Sequence, residues 1–452
     1  MQREKIKFYQ YFFLLIIASM VIFNGGNSNL YIQFNFIIIS IFFLLLIKEK
    51  KYLAHIKYIF QRNKIPIRLY FLFIFFLIFQ TIPLPLEWLK FLSPEKYNIL
   101  NELEFDRNLN SISLDPVNSF FYLLNYLSLF ICLLIFKSLF YRKKDIFKFY
   151  FFLVFIGAFA ASIAIYFYLI GNPDFLMINN KWSKNAASGF FINRTVFSCF
   201  LVLCFLCGIE YLKKINNHSK NDSNIFFNKI YIRIFILLIT IGIITSFSRV
   251  GNFLFISLIL IYISQALYIN DKKNRFFLIT LIIILLFDVL ILGFYFGSER
   301  LLQRYSFLQN EINEYLPSST DITLTRGGLV KFAFIEFKNF IFFGYGGGGF
   351  EYLFKISFKN LSTNYASHAH SDLLEFIGEF GLIGSILVLS SFIFLLFNKK
   401  FFSFKNFLLC YLLIFILIFD FSLHIPLIQL LFVLLLSINY DRSNNFEYNF
   451  NN

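Results

Sequence analysis

The chain has 452 residues, of which 58% are hydrophobic and 22% aromatic, while only 15% are charged. Soluble domains are roughly 25% charged, and a water-exposed surface could not accommodate the 70 phenylalanines of this chain. The composition therefore excludes a soluble enzyme, a disordered chain and a disulfide scaffold. It predicts an all-α integral membrane protein.

Apolar runs that could cross a bilayer recur about twelve times, since a spanning helix needs roughly 20 mostly apolar residues. The predicted spans are residues 9–23, 30–47, 69–86, 119–140, 147–170, 190–212, 230–248, 250–270, 276–296, 373–397, 406–421 and 424–439. We interpret the first as an uncleaved helix, because no small-residue cleavage site follows it. We expect residues 1–452 to form a single polytopic membrane domain.

The distribution of charge predicts the orientation of these spans. If the N-terminus is cytoplasmic and the segments alternate, the inside segments hold 27 Lys and Arg against 8 Asp and Glu. Basic loops favour the cytoplasmic side, so both termini are expected there. The net charge of +15 thus reflects topology. It does not indicate a nucleic-acid partner, because the basic residues are divided among separate loops.

Residues 297–372, between the ninth and tenth predicted spans, form a predicted large periplasmic loop. A loop of this length in a compact protein is usually functional. Near its end lie His368 and His370, followed by Asp372 and Glu375. A neutral imidazole can accept the proton of a hydroxyl near neutral pH, and a neighbouring carboxylate would orient it.

The three carboxylates Asp372, Glu375 and Glu379 follow one another at helical spacings of three and four residues. Such a stripe on a membrane helix is costly and usually faces a cavity or a partner. Two other interpretations of the histidines stay open at this point. One is a capped helix end with solvated imidazoles, and the other is a metal site of the form His-x-His-x-Asp.

Three arginines are predicted to face outward. Thr325 is a predicted helix cap that places Arg326 in a first turn, where a cation is tolerable if it binds an anion with the free N–H groups. Arg194 and Arg249 occur at the ends of predicted spans. Each could simply extend to the interface, but together with the histidines they favour an anionic, lipid-linked substrate.

The glycine-rich stretch Gly344-Tyr-Gly-Gly-Gly-Gly349 lies in the same loop. Glycines permit close approach of a backbone to a ligand, and the alternative is a flexible turn. The stretch has no Walker lysine, so it is a weak phosphate-binding signature.

These residues resemble the landmarks of the O-antigen ligase/polymerase superfamily. His370-Ser371, nine further residues and then Gly381-Leu-Ile-Gly384 are similar to that family's His-[Asn/Ser/Gln]-x9-Gly-x-x-Gly signature. Three further similarities follow in the family's order: Phe191-x-Asn-Arg194, Ser248-Arg-x-Gly251, and Thr325-Arg-Gly followed by Gly344-x-Gly346. The resemblance covers residues 190–390.

The resemblance implies an inverting glycosyltransferase that acts at the periplasmic face of the bacterial inner membrane without metal or cofactor. The implied donor is an undecaprenyl-diphosphate-linked glycan, whose diphosphate Arg194, Arg249 and Arg326 would neutralise. His370 would be the general base, oriented by Asp372 or Glu375, with His368 as the substitute base.

Three acceptors are compatible with this resemblance. A ligase would use lipid A–core, a polymerase would use a second lipid-linked repeat unit, and a related branch would use Ser or Thr of a protein; the signature slightly favours a ligase. A flippase or another transporter is the alternative of a different class. Transporters usually carry internal repeats and midspan charges, whereas here no repeat is apparent and Asp288 is the one clear midspan ionisable residue.

Overall fold

A computed structural model describes most of the chain, in residues 2–103, 108–174, 184–217, 223–269, 325–358, 366–396 and 403–438. Residues 279, 282, 283 and 286 are also described. The helices are α1 (Gln2–Ile22), α2 (Asn29–Ile47), α3 (Lys50–Arg62), α4 (Lys64–Thr81), α5 (Leu86–Leu92), α6 (Pro94–Glu102), α7 (Pro116–Leu139), α8 (Lys143–Leu169), α9 (Arg194–Asn217), α10 (Ser223–Thr245), α11 (Arg249–Ile269), α12 (Arg326–Phe337), α13 (Phe350–Ser357), α14 (Asp372–Leu396), α15 (Phe404–Phe419) and α16 (Pro426–Ser437).

Within the described ranges, nine helices are long and apolar enough to cross a membrane. They are α1, α2, α4, α7, α8, α9, α10, α11 and α14, and they coincide with nine of the predicted spans. Helices α15 and α16 overlap the last two predicted spans, and at 16 and 12 residues they are shorter than the nine candidate spanning helices. Most of the predicted span 276–296, and residues 297–324 and 359–365 of the predicted loop, lie outside the described residues. The all-α membrane class is therefore confirmed, whereas the number twelve stays a prediction.

The third predicted span, 69–86, was placed five residues too late. Helix α4 runs over Lys64–Thr81, because Pro83 and Pro85 cannot continue a helix while Pro66 is tolerated in a first turn. The chain then forms a short antiparallel pair between β1 (Leu84–Pro85) and β2 (Leu109–Asn110).

Helix α6 is held in this segment by a buried lysine. Lys96 Nζ donates to the carbonyl oxygen of Ser111 over 2.7 Å and also to the carbonyl oxygen of Ser113. Burial lowers the pKa of Lys96 to about 8. The Lys96 side chain thus links α6 to the segment after β2 through hydrogen bonds to two carbonyl oxygens.

The chain divides into two compact units, residues 1–27, 139–307 and 424–431 in the first, and 28–138, 308–423 and 432–452 in the second. In the first unit, α8, α9 and α10 pack through small residues. A Cβ added at Gly157 would lie 2.7 Å from the Cβ of Cys204, and one at Gly242 would lie 2.8 Å from the Cβ of Ala161. Such close helix contacts are typical of membrane bundles.

In the second unit, α4 packs antiparallel to α14. Gly384 faces Phe76, whose ring would lie 2.7 Å from an added Cβ. Further along the pair, the Ser391 hydroxyl donates to the Pro66 carbonyl oxygen over 3.1 Å. Gly384 of the signature therefore allows two membrane helices to approach closely.

Candidate functional site

The carboxylates of α14 organise the candidate site in the second unit. Asp372, Glu375 and Glu379 are buried, and each accepts a backbone N–H from a different segment of the chain. These contacts are Leu423 N–H to Asp372 Oδ2 at 2.7 Å, Ala369 N–H to Glu375 Oε2 at 2.8 Å, and Gly348 N–H to Glu379 Oε1 at 2.6 Å. The three predicted carboxylates thus hydrogen-bond three separate segments of the chain to the first turns of α14.

His368 is positioned by Glu375. Its Nδ1 lies 2.9 Å from Glu375 Oε1, while the second carboxylate oxygen is held by the N–H of Ala369. A carboxylate at one ring nitrogen orients an imidazole as in enzymes that use histidine for proton transfer. The predicted pairing of a carboxylate with a histidine is therefore present, but the structure pairs Glu375 with His368 whereas the sequence interpretation assigned it to His370.

His370 lies two residues further on, in the left-handed backbone region with φ of 60°. Histidine tolerates this region better than most residues. Among the described residues its Nδ1 has no hydrogen-bond partner. Burial, together with the charges of Arg326 and His368, lowers the pKa of His370 to about 3 against an opposing effect of Glu375. The imidazole is consequently neutral at physiological pH and can accept a proton.

Arg326 begins helix α12, as predicted. The Thr325 hydroxyl accepts the N–H of Gly328 over 3.2 Å, which confirms Thr325 as the N-cap. The charge of Arg326 lowers the pKa of both His370 and Asp420. The guanidinium therefore lies within electrostatic reach of a histidine and a carboxylate in the same unit.

The turn that follows α15 is a part of the site that the sequence interpretation missed. Asp420 is buried, and its carbonyl oxygen accepts the N–H of Asp372 over 2.8 Å. Burial raises the pKa of Asp420, while a hydrogen bond from Ser422 and the charge of Arg326 oppose that rise. The signal available in the sequence was an acidic residue at the end of an apolar run.

Phe421, the next residue in this turn, contacts both imidazoles. Its ring stacks on His368 with centroids 4.7 Å apart and meets His370 edge-on at 5.0 Å. The aromatic ring therefore shields one side of each histidine from water.

The glycine-rich stretch packs closely against the backbone of α14. Gly344 has φ of 70°, and an added Cβ would lie 2.3 Å from the carbonyl oxygen of Glu379. An added Cβ on Gly346 would lie 2.1 Å from Ser113 Oγ. At Gly344 and Gly346 protein atoms therefore fill the space that a side chain would need, while a ligand contact of this stretch stays a prediction.

The same loop supplies hydrogen-bond partners for the backbone at a break in α14. Gly381 has φ of 61° and ψ of −173°, so the helical hydrogen bonds are interrupted there. The carbonyl oxygens of Gly378 and Glu379 accept N–H groups of Tyr345 and Gly346. The N–H groups of Leu382 and Ile383 donate to the carbonyl oxygens of Ile341 and Phe342. The backbone polar groups at the break are therefore satisfied by the loop, as burial requires.

A glutamine from α4 donates two further hydrogen bonds at this break. Gln80 Nε2 donates to the carbonyl oxygen of Phe343 over 2.6 Å and to that of Glu379 over 2.9 Å. Gln80 is fully buried. The loop, α14 and the end of α4 are consequently linked by one side chain that the sequence interpretation did not single out.

The other two predicted arginines begin adjacent helices of the first unit. Arg194 starts α9, where Asn193 Oδ1 accepts the N–H of Thr195 over 2.7 Å. Arg249 starts α11, and an added Cβ on Gly251 would lie 2.1 Å from Ser198 Oγ in the first turns of α9. The first turns of the two helices therefore touch, and both arginines lie at that end of the unit.

The structure thus brings Arg326, His368, His370 and Glu375 together in one unit, with Asp372 beside them. Arg194 and Arg249 lie near each other in the other unit, and the convergence of all three arginines stays a prediction.

The model of the family described as O-Antigen ligase matches residues 234–389. No curated protein matches the chain. The matched segment contains Arg249 and Arg326, both histidines and the glycine signature, whereas Arg194 and Asp420 lie outside it. Residues 234–389 of this multi-pass membrane protein are therefore similar to the O-antigen ligase family.

Proposed function

We propose that the chain transfers an undecaprenyl-diphosphate-linked glycan to an acceptor hydroxyl at the periplasmic face of the bacterial inner membrane. The family match supports a lipid-linked glycan as substrate. The observation that carries the proposal is the His368–Glu375 pair beside a neutral His370 within reach of Arg326. All four residues lie in the matched segment.

The donor's diphosphate would be bound by cations at helix starts. Arg326 begins α12, while Arg194 and Arg249 begin α9 and α11. A helix start offers free N–H groups, and a guanidinium binds phosphate through two parallel hydrogen bonds. These groups would stabilise the charge that develops on the leaving diphosphate.

His370 would act as the general base. The acceptor oxygen would attack the anomeric carbon and give its proton to His370, while the bond from that carbon to the phosphate oxygen breaks. The electron pair would leave with undecaprenyl diphosphate, and attack from the opposite side would invert the anomeric configuration. A bound diphosphate would offset the charge of Arg326 and raise the pKa of His370, which makes the imidazole a stronger base.

Purified protein with a labelled lipid-linked donor tests this assignment. His370→Ala should lower the transfer rate by about 10²–10⁴-fold, the usual contribution of general base catalysis. His55→Ala is the matched control, since His55 lies on α3, outside the matched segment. Undiminished transfer by His370→Ala, with loss in His368→Ala, would assign the base to the histidine that Glu375 orients.

The pH profile is a second test of His370 as the base. Because the pKa of free His370 is lowered from 6.5 to about 3, kcat/KM of the wild type should not fall through an acid limb near 6.5. A limb centred near that value would contradict His370 as the base.

Chelation tests metal independence. EDTA should leave the transfer rate unchanged, whereas loss that a divalent cation restores would favour the metal-site alternative.

The acceptor is a separate question, and we propose lipid A–core. A lipopolysaccharide gel from a deletion strain should then show core without O-chain, restored by the wild-type gene. Core that carries a single repeat would indicate a polymerase.

A flippase would move labelled donor across proteoliposome membranes without consuming it, and His370→Ala would not alter that movement.

A further inference from the structure

Helix α5, in the second unit, exposes two aromatic side chains on one side. Trp88 and Phe91 are three residues apart, and their side chains are 61% and 85% exposed. Leu89, between them, is fully buried in a cluster with Leu84 and Ile112. The short helix therefore attaches to the protein by one face and presents large apolar groups on the other.

The position of α5 relative to the membrane is given by α4. Helix α4 is a candidate span that ends at Thr81, and only four residues separate its end from the start of α5 at Leu86. Phe79, in its last turn, packs against the buried cluster beneath α5. The exposed aromatic groups therefore lie beside the end of a spanning helix, where hydrocarbon gives way to headgroups.

A second exposed aromatic group lies further along α4, near the level of Phe76. Phe342 is 64% exposed, and its carbonyl oxygen accepts the N–H of Ile383, which belongs to the span of α14. Its neighbour Phe343 packs against the cluster beneath α5 and stacks on Phe76 of α4. Phe343 thus connects the α5 segment with the loop that carries Phe342.

The chemistry of this surface fits a bilayer interface. Tryptophan and phenylalanine gain from leaving water, and indole favours the headgroup level because it combines an apolar ring with an N–H donor. Glu87 and Lys90 of α5 are exposed as well. A surface that alternates charged and aromatic groups suits the boundary between headgroups and acyl chains better than the hydrocarbon interior.

We propose that Trp88 and Phe91 form an interfacial anchor, whose occupant is phospholipid of the leaflet at the Thr81 end of α4. The anchor holds the loop and the break in α14 at the membrane boundary, because Phe343 packs between α4 and α5. It does not depend on the proposed glycan transfer.

Tryptophan fluorescence tests the anchor directly, since the chain contains only Trp88 and Trp182. The Trp182→Phe variant would be reconstituted in vesicles of phosphatidylcholine brominated either near the headgroup or near the chain end. We expect quenching by the shallow bromines to be on the order of twofold stronger than by the deep ones, as for an indole at the interface. Iodide in the aqueous phase should quench weakly.

The matched control moves the tryptophan deeper. Phe75 is a 65% exposed residue of α4, and it lies six residues before Thr81, or roughly 9 Å along the helix. Phe75→Trp, combined with Trp88→Phe and Trp182→Phe, should reverse the order of the two brominated lipids. If the Trp182→Phe variant does not fold, subtracting the Trp88→Phe signal from that of the wild type supplies the same measurement.

Two results would overturn the anchor. Strong iodide quenching without an effect of brominated lipid would place Trp88 in water. Protection from both quenchers would show that protein covers the surface, for example a second copy of the chain.

Discussion

Backbone polar groups find their hydrogen-bond partners in different ways at the helix starts of the first unit and in the α14 region of the second. At the start of α9, Asn193 caps the N–H of Thr195, two residues away. At the start of α11, Ser248 Oγ accepts the N–H of Gly251, three residues away. Each cap is local, so each helix start is largely specified by its own sequence.

The α14 region relies on partners far along the chain. Gln80 donates to Phe343 and Glu379, while Asp372 accepts from Leu423. A single side chain there supports two or more segments. Changes in the α14 region should therefore cost more than changes at the capped helix starts, and the following predictions test that difference.

The largest effect on stability is expected for Gly344→Ala. The residue has φ of 70°, and its added Cβ would meet backbone atoms of Glu379 and Gly381 that cannot rotate away. Left-handed strain of about 1–2 kcal/mol and overpacking of about 1–3 kcal/mol together predict a loss of roughly 2–5 kcal/mol. Titration with SDS measures the free energy of unfolding. Gly171→Ala is the control, because Gly171 has φ of 88° but open space around it; equal losses in both variants would refute the packing explanation.

Glu375→Gln should affect the reaction most strongly among conservative changes. The amide removes the charge that faces His368 Nδ1 while an oxygen remains for the N–H of Ala369. The same charge opposes the lowering of the pKa of His370, so its loss weakens the proposed base, and we expect kcat/KM for glycan transfer to fall about 10²-fold. Glu351→Gln, at an exposed pair with Lys355, should leave the rate unchanged. A fully active Glu375→Gln enzyme would limit Glu375 to a structural role.

Gln80→Leu should have an intermediate effect on stability. It removes the two hydrogen bonds that the Gln80 side chain of α4 donates at the break in α14. A carbonyl left without its buried partner costs about 1–3 kcal/mol, which the same SDS titration would detect. Gln61→Leu on α3 is the control, since Gln61 is exposed. If the two variants unfolded at the same SDS fraction, the long-range contacts would carry little stability.

Asn193→Ala should have the smallest effect. Loss of an N-cap costs about 1 kcal/mol, and the helix start of α9 has no other segment that depends on this side chain in the described contacts. Asn193→Ser should restore most of the loss, because serine caps equally well. A loss larger than that of Gln80→Leu would contradict the contrast between the two regions.

Features that depend on residues near one another were predictable. Long apolar runs predicted nine spans that the structure contains, and the spacing of Asp372, Glu375 and Glu379 predicted one buried face. Thr325 was predicted as an N-cap and is one. Each prediction used only helix geometry and the hydrogen bonds that a helix end leaves open.

The amino-acid sequence by itself determined the membrane class, most of the spans and the histidines, α14 carboxylates and arginines that were proposed for the candidate site. Only the tertiary structure decided that Glu375 pairs with His368, that Asp420 and Phe421 join the site, and that Gly344 meets the α14 backbone. The physical reason is that hydropathy and capping act over a few residues. Hydrogen bonds and close backbone contacts between distant segments depend on which segments meet in the folded protein.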